Sequence, residues 1–322
     1  MNMPRLSPDL RRYMEKVIES LRDMSVKEIL SYAIFNERDE VEYYRKLAEH
    51  ADRESIKALF IQMADESQEH HDRLYSLFKK LYPDEEPVEV DVPPVEVAPF
   101  YPEFETVDDY LAALEYCMQS ELFAQQTYEL LSQKATHEDS RVLFAQLAEI
   151  ERNHYERLKK AHDLLAGFRA RKMLPEEISP GGYLFPDKIK ARYMLLDLMG
   201  RGLKPYVFSR DPPKKLFEWF KREDINAVWI SSAPVKGAVT PNALVNSKSS
   251  LVDILEEDGA VVLIENFEAI AVSTGFADAF EMVSLLRDVA MVSGSYLLVH
   301  ANEKAMPERE WAILESELEV ID

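Results

Sequence analysis

The sequence predicts two domains, an all-α four-helix bundle followed by an α/β domain with a mostly parallel sheet. At 322 residues, the chain is long enough for two hydrophobic cores. Residues 25–170 carry apolar side chains at three- and four-residue steps, the spacing of amphipathic helices. From residue 180 onward, short β-rich runs alternate with helical segments, which favours a parallel sheet with helices on both faces.

The composition argues against several classes of partner and site. A formal net charge of −21 disfavours nucleic acid and anionic membrane, because both bind basic surfaces. The one cysteine, Cys117, cannot form a disulfide framework or a four-thiolate metal site within the chain. Because the sequence shows neither a signal peptide nor an apolar run of about 18 residues, we expect a cytoplasmic protein with no membrane partner.

Five helices are predicted in the N-terminal half. A helix over residues 8–22, with Ser7 as its N-cap, makes residues 1–24 a helical extension. Ser25 is placed to cap a long helix that ends near His50. The three further helices are predicted over residues 53–81, 107–134 and 138–168.

Two connections divide the chain. Residues 82–106 contain six prolines, a density that no helix tolerates, so an extended connection is predicted inside the bundle of residues 25–170. Residues 171–179 are the predicted linker to the α/β domain, residues 180–322. Strands are predicted over residues 182–185, 205–209, 227–231, 260–265, 296–300 and 318–321. Helices are predicted between them over residues 187–201, 212–223, 247–257, 276–292 and 307–317.

The two hairpins of the bundle repeat each other at a constant offset. Three pairs of polar residues are each 84 positions apart: Glu37 and Glu121, Tyr44 and Tyr128, and His70 and His154. Apolar pairs keep the same spacing without a gap, among them Leu47 and Leu131, Phe60 and Phe144, and Leu74 and Leu158. The sequence therefore predicts a duplicated helical hairpin.

A carboxylate and an imidazole interrupt the apolar stripe of the last bundle helix. Glu151 and His154 are three residues apart, after Leu147 and before Leu158. Such groups are costly in a core unless something neutralises them, and a metal ion does so directly. Since Glu-x-x-His arises by chance in a chain with 59 acidic residues, the motif gains its specificity from the repeat.

Four helices with one long connection are typical of a ferritin-like bundle. Dimetal sites in that fold take one glutamate from each of two helices and a Glu-x-x-His from each of the other two. Glu37 and Glu121 are the candidates for the single glutamates, and Glu151 with His154 forms one intact Glu-x-x-His.

The first half departs from this pattern, because Ser67 stands three positions before His70 where a glutamate is expected. Three alternatives are open. Glu66, four positions before His70, lies on nearly the same helix face and could reach the site. Glu40, one turn after Glu37, could supply the oxygen instead. In the third alternative, this half of the site is weak or empty.

The bundle resembles the rubrerythrin family of the ferritin-like superfamily over about residues 25–168. The motifs that carry the resemblance are Glu37 with Tyr44, Glu121 with Ala124 and Tyr128, and Leu147-Ala-x-x-Glu151-x-x-His154-x-x-x-Leu158. The resemblance implies two bound irons, with Tyr44 and Tyr128 close by and hydrogen-bonded to ligand carboxylates. The predicted ligands are Glu37, Glu66, His70, Glu121, Glu151 and His154, with Glu40 as an additional candidate.

The ligand chemistry and the resemblance indicate a function. Oxygen-rich ligation with two imidazoles suits iron or manganese and does not exclude zinc. The resemblance implies reaction with hydrogen peroxide or dioxygen, or iron oxidation. Peroxidases of the family often carry a four-cysteine rubredoxin domain, so with one cysteine we expect an external electron donor such as rubredoxin. The alternative is a non-catalytic iron or redox sensor, and by analogy we expect a homodimer.

Several motifs mark the C-terminal half: Gly182-Tyr-Leu, Ser209-Arg-x-x-Pro213, Trp229-Ile-Ser, Glu265-Asn and Glu308-x-Glu-x-x-x-Leu-Glu. They resemble the archaeal domain-of-unknown-function 835 family, which often accompanies sensor modules and so implies signalling or protein interaction. Glu265 ends a buried strand as a Walker B acid does, but the sequence has no glycine-rich phosphate-binding loop. ATP hydrolysis is therefore not expected.

Overall fold

The structure is a computed structural model of the chain, and it describes residues 8–21, 23–92, 102–136, 138–171, 174–233, 235–257 and 259–321. The chain divides into two compact units, one of residues 1–52 and 59–162 and one of residues 53–58 and 163–322. Helices form the first unit and a parallel sheet with helices forms the second, so the predicted fold class is confirmed. The predicted residue limits of the domains stay a prediction. No helix in the described ranges is long and apolar enough to span a bilayer.

Five helices fall close to their predicted limits in the N-terminal half. They are α1 (Pro8–Leu21), α2 (Val26–His50), α3 (Glu54–Leu81), α4 (Val107–Lys134) and α5 (Glu138–Ala170). Ser25 caps α2 as predicted, because its side chain accepts a hydrogen bond from the Glu28 N–H while the Glu28 carboxylate accepts one from the Ser25 N–H. Ser7, Arg22 and residues 93–101 of the predicted connection lie outside the described residues.

The core of the first unit lies where the apolar faces of all five helices meet. Ile29, Leu30, Phe78, Phe123 and Phe144 are completely buried there. Helix α1 adds to this core from outside the four-helix arrangement, with its Tyr13 ring 5.5 Å from the Phe123 ring of α4. The apolar stripes therefore account for the packing, and the polar residues within them need a separate explanation.

The second unit is built on a seven-stranded sheet in which every neighbouring pair is parallel. Its strands are β1 (Gly181–Phe185), β2 (Lys204–Ser209), β3 (Asn226–Ile230), β4 (Ala238–Val239), β5 (Ala260–Ile264), β6 (Tyr296–His300) and β7 (Glu319–Val320), in the order β4-β3-β2-β5-β6-β1-β7. Its helices are α6 (Lys188–Gly200), α7 (Pro213–Phe220), α8 (Pro241–Asn246), α9 (Lys248–Glu256), α10 (Phe267–Thr274), α11 (Phe276–Ser293) and α12 (Glu308–Glu317).

The strand order creates one point where the direction of winding reverses. β2 and β5 are neighbours, yet the chain leaves β2 towards β3 on one side and leaves β5 towards β6 on the other. Parallel strands end at the same edge, and in α/β sheets such a reversal opens a crevice at that edge. Ser209 and Glu265 stand there, directly at the ends of β2 and β5.

Among these strands and α-helices, β4, α8 and α10 are short and were not predicted from the sequence. β4 contains only two residues, too few for a recognisable alternation. α10 begins immediately after Asn266, whose φ of 59° turns the chain out of β5 within one residue. Asparagine tolerates this left-handed conformation, and no glycine or proline marks the turn in the sequence.

We expect Gly182→Ala to destabilise the second unit by about 1–3 kcal/mol through overpacking. A Cβ at Gly182 would lie 2.5 Å from Arg287 Cγ and 2.6 Å from Leu318 Cδ2. Urea unfolding followed by tryptophan fluorescence reports on this unit, because all three tryptophans lie in it. Gly200→Ala is the matched control, since its Cβ would meet only an ordinary contact of 3.5 Å. Equal stability of the two variants would contradict the packing.

Candidate metal centre

Three helices direct acidic and imidazole side chains into the middle of the bundle. Helix α2 contributes Glu37 and, one turn later, Glu40, while α4 contributes Glu121. Helix α5 contributes both Glu151 and His154. A spacing of three or four residues keeps each such pair on the helix face that also carries the buried apolar residues.

Four of these side chains form a compact cluster of possible ligands. Glu40, Glu121, Glu151 and His154 each offer one ligand atom, and these atoms all lie within 4.8 Å of one another. The Nδ1 atom of His154 is 3.5 Å from a Glu121 oxygen and 3.8 Å from oxygens of Glu40 and Glu151. His154 is 1% exposed. Three carboxylates and one imidazole thus converge among buried side chains.

The unpaired atoms of this cluster fit a metal ion. Both ring nitrogens of His154 are buried without a hydrogen-bond partner. A buried polar atom left unpaired costs about 1–3 kcal/mol, and a bound ion is one of the few groups that would satisfy such an atom. Carboxylate oxygens and imidazole nitrogens are the donors that iron, manganese and zinc accept. The donor set therefore suits a divalent metal.

A second pair of candidate ligands lies next to the cluster, where α3 contributes His70. His70 Nδ1 is 3.7 Å from Glu37 Oε1, and the His70 ring centroid is 5.4 Å from that of His154. His70 Nδ1 and Glu37 Oε2 are both buried without a hydrogen-bond partner. The two halves of the sequence repeat thus bring their histidines close together, each beside its own glutamate.

Glu40 and Glu66 are the two carboxylates that could replace the glutamate expected at position 67, and they make different contacts. The Ser67 hydroxyl donates a 2.8 Å hydrogen bond to Glu40 Oε2, and Glu40 is in the four-residue cluster. Glu66 instead forms an ion pair with Arg157 of α5, which also hydrogen-bonds Gln62. Among the predicted residues, the structure therefore places Glu40 with the other possible ligands and Glu66 on a separate ion pair.

The two predicted tyrosines differ in their contacts. The Tyr44 hydroxyl donates a hydrogen bond to Glu121 Oε1. Burial, reinforced by Glu121, raises the pKa of Tyr44 well above its usual range, so the phenol keeps its proton and remains a donor. Tyr128 is also buried, and its hydroxyl accepts a 3.5 Å hydrogen bond from Asn36. Tyr44 therefore hydrogen-bonds a candidate ligand, as the family resemblance implies.

Glu121 and His154 shift each other's protonation. Burial acts to raise the pKa of Glu121, but His154, Glu151 and Tyr44 together outweigh it and lower that pKa. Burial acts to lower the pKa of His154, and the carboxylates of Glu121 and Glu37 outweigh it and raise that pKa. Each of these two residues therefore favours the charged form of the other.

Arg157 is a contact residue that was not predicted from the sequence. Its signal was available in the repeat, because Arg73 stands 84 positions earlier and the partner Gln62 repeats as Gln146. The acidic partner Glu66, however, repeats as Ile150. The arginine–glutamate pair between α3 and α5 therefore forms with Arg157 and not with Arg73.

A separate polar network occupies the winding reversal of the second unit. Arg192 of α6 donates to both oxygens of Glu265, at 2.5 and 2.8 Å, and to Asp211 at 2.8 Å. The Ser209 hydroxyl completes the set with a 2.5 Å bond to Glu265. The buried Arg192 guanidinium also lies 4.8 Å from the Trp219 ring centroid. Glu265 is thus fully paired by protein groups.

The comparisons with known proteins follow this division of the chain. The rubrerythrin family model matches residues 28–162. A family described as a protein of unknown function, DUF835, matches residues 185–318. The two halves of the chain match two different families. The rubrerythrin match and the buried glutamate and histidine cluster together suggest a dimetal site in the first half.

Two further comparisons add little to this assignment. A hypothetical protein from Pyrococcus furiosus with a solved structure is 30% identical, covering 46% of this chain and 95% of its own, with a TM-score of 0.39. No curated protein matches. The rubrerythrin and DUF835 halves are therefore interpreted from their own residues.

We expect acid to weaken the DUF835 half through Asp211. Burial acts to raise the pKa of Asp211, but Lys215, Arg192 and Lys188 outweigh it and lower that pKa below its usual range. The ionised Asp211 carboxylate therefore stabilises the folded state. This contribution is fully present above the pKa of the group in the unfolded chain, about 4, and is lost as the pH falls towards its pKa in the folded protein. Asp211→Asn should lower the free energy of unfolding by about 1 kcal/mol at pH 6, with a smaller difference at pH 3.

The check for Asp211 is urea unfolding followed by tryptophan fluorescence at both pH values. Asp253→Asn, at an exposed position in α9, is the control and should follow the wild-type protein throughout. A deficit of Asp211→Asn that stays constant between pH 6 and pH 3 would show that the ionised carboxylate is not its source.

Proposed function

We propose that the rubrerythrin half is a diiron centre that reacts with hydrogen peroxide or dioxygen, or handles iron. One observation carries the proposal: four buried ligand atoms from three helices converge within 4.8 Å, and the imidazole among them has no hydrogen-bond partner. Six ionisable groups on one bundle axis would be hard to retain without cations, because each buried charge needs compensation. Two iron ions, when bound, supply the two electrons that peroxide or dioxygen takes up.

The proposed ligands form two sets. Glu40, Glu121, Glu151 and His154 would hold one ion, since their atoms already converge. Glu37 and His70 would supply donors to the second, because both present unpaired buried atoms next to the first set. Manganese and zinc accept the same donors, and iron is preferred on the family match.

The residues around these ligands orient them and limit the chemistry. Tyr44 donates to Glu121 and Ser67 donates to Glu40, so each hydrogen bond fixes the rotamer of one carboxylate. Burial raises the pKa of Cys117 to about 12, so its thiol stays protonated and is a poor ligand or nucleophile. Cys117 is therefore not expected to take part in redox chemistry, which the bound metal would supply.

We propose that reducing electrons reach the site from an external carrier such as rubredoxin. A rubredoxin-type iron needs four thiolates, and this sequence has one cysteine. The attached DUF835 half supports a second candidate function, a redox or iron sensor in which that half contacts a partner protein. A homodimer in the cytoplasm, without nucleic-acid partners, fits both functions.

Metal analysis should separate Glu40 from Glu66. We expect Glu40→Ala to lose at least half of about two metal ions per chain after loading with ferrous iron, because it removes an oxygen of the compact cluster. Glu66→Ala is the matched control and should keep both ions, since Glu66 pairs with Arg157. Iron is counted by inductively coupled plasma mass spectrometry, with circular dichroism as the check on folding. Loss of metal from Glu66→Ala alone would make Glu66 the ligand.

Peroxide kinetics should separate the enzyme from the sensor. We expect the ferrous protein to be oxidised rapidly by hydrogen peroxide in stopped-flow absorbance, and Glu151→Ala to lose most of that reaction together with most metal. Multiple turnovers with excess reduced rubredoxin support the enzyme, whereas one oxidation without re-reduction supports the sensor. A protein that binds no metal even after loading would rule out both functions.

A further inference from the structure

An open groove lies between α3 and α5, and His70 is one of the residues that line it. Its volume is about 580 Å³. Aliphatic side chains form most of its wall, chiefly Leu74, Leu77, Val142, Leu147 and Ile150. Leu77 and Val142 are 37% and 52% exposed, which is unusual for large apolar residues that line one groove.

The size of the groove does not match peroxide or dioxygen. Each of these molecules takes roughly the space of one or two waters, about 30–60 Å³ in the liquid. Sites for organic ligands measure about 300–1,000 Å³ and have mainly apolar walls with a few polar groups. The groove beside His70 falls within that range and has that composition.

The sequence repeat provides an internal comparison, because the other half has the equivalent helix face closed. There, Arg157 of α5 reaches across to Glu66 and Gln62 of α3. The residues equivalent to Leu74, Leu77 and Leu147 are Leu158, Ala161 and Met63, which are 0%, 2% and 0% exposed. The histidine on that side, His154, is 1% exposed.

On the groove side, the residues that would form the equivalent contact between α3 and α5 have changed. Arg73 occupies the position of Arg157, but Ile150 replaces the acid Glu66 and cannot accept its hydrogen bonds. Arg73 instead pairs with Glu69 of its own helix, at 3.3 Å. The His70 side chain is accordingly 16% exposed. Ile150 is thus the one change that prevents an arginine–glutamate pair between α3 and α5 here and also adds an apolar side chain to the groove wall.

We propose that this groove binds a small, neutral, apolar organic molecule against His70. The charged groups at its rim are already paired, Arg73 with Glu69 and Glu149 with Arg152, so no spare charge favours an ionic ligand. The groove gives the candidate metal centre one side that admits a molecule larger than peroxide. The binding itself does not require metal and can be tested in metal-free protein.

The test is isothermal titration of the full-length, metal-free protein with 1-decanol at two temperatures. The wild-type protein should bind one equivalent with a negative heat-capacity change, the sign of apolar burial. Ile150→Glu should weaken binding at least tenfold, because the introduced carboxylate would pair with Arg73 across the groove as Glu66 pairs with Arg157. The circular dichroism and thermal midpoint of this variant should remain those of the wild-type protein.

A second variant guards against an indirect effect of Ile150→Glu, which adjoins Glu151. Leu77→Gln lies seven residues from His70 and should also weaken decanol binding at least tenfold. Leu81→Gln is its matched control, since Leu81 is on the same helix, is 50% exposed and does not line the groove. It should bind decanol as the wild-type protein does.

Three results would overturn the proposal. The first is the absence of saturable decanol binding to the wild-type protein, and the second is an equal loss of decanol binding in Leu77→Gln and Leu81→Gln. The third is a dimer in sedimentation that Leu77→Gln dissociates, because a second copy of the chain would then cover the groove. Failure of the diiron proposal is seen separately, as absence of metal after loading. Decanol binding to metal-free protein does not depend on that result.

Discussion

The bundle depends on the balance between burying carboxylates and compensating them. Glu37, Glu40, Glu121 and Glu151 are each at most 9% exposed, inside a helical core that would otherwise be apolar. His154 and Glu121 each favour the charged form of the other, yet several buried atoms still have no hydrogen-bond partner. A bound cation would satisfy them together, so these buried groups suggest a metal-binding site in the core.

The two halves of the repeat are alike in pattern but supply their carboxylates differently. In the second half, α5 supplies the carboxylate Glu151, while in the first half its place is taken by Ser67 and the carboxylate comes from α2 as Glu40. The repeat partner of Glu40 is Ala124, so the number of carboxylates is preserved while their helix of origin changes. The difference between Glu66 and Ile150 similarly leaves one histidine closed in and the other next to a groove.

In the DUF835 half, a protein cation neutralises the buried carboxylate Glu265. Glu265 stands at the winding reversal of the sheet, where α/β proteins commonly place ligands. Here Arg192, from the helix after β1, fills that position with its own guanidinium and pairs both oxygens. The same acid that resembles a Walker B residue in the sequence is therefore a structural ion-pair partner, with Asp211 and Ser209 completing the network.

The sequence alone determined the fold class, the limits of the five N-terminal helices and the residue types of the candidate site. It did so because helical periodicity, capping by Ser25 and the 84-residue repeat of residues such as His70 and His154 are local or pairwise patterns. Only the tertiary structure decided which of Glu40 and Glu66 joins the cluster. Both lie within one helical turn of a suitable position, and the choice depends on Ser67 and Arg157, which approach them from other helices.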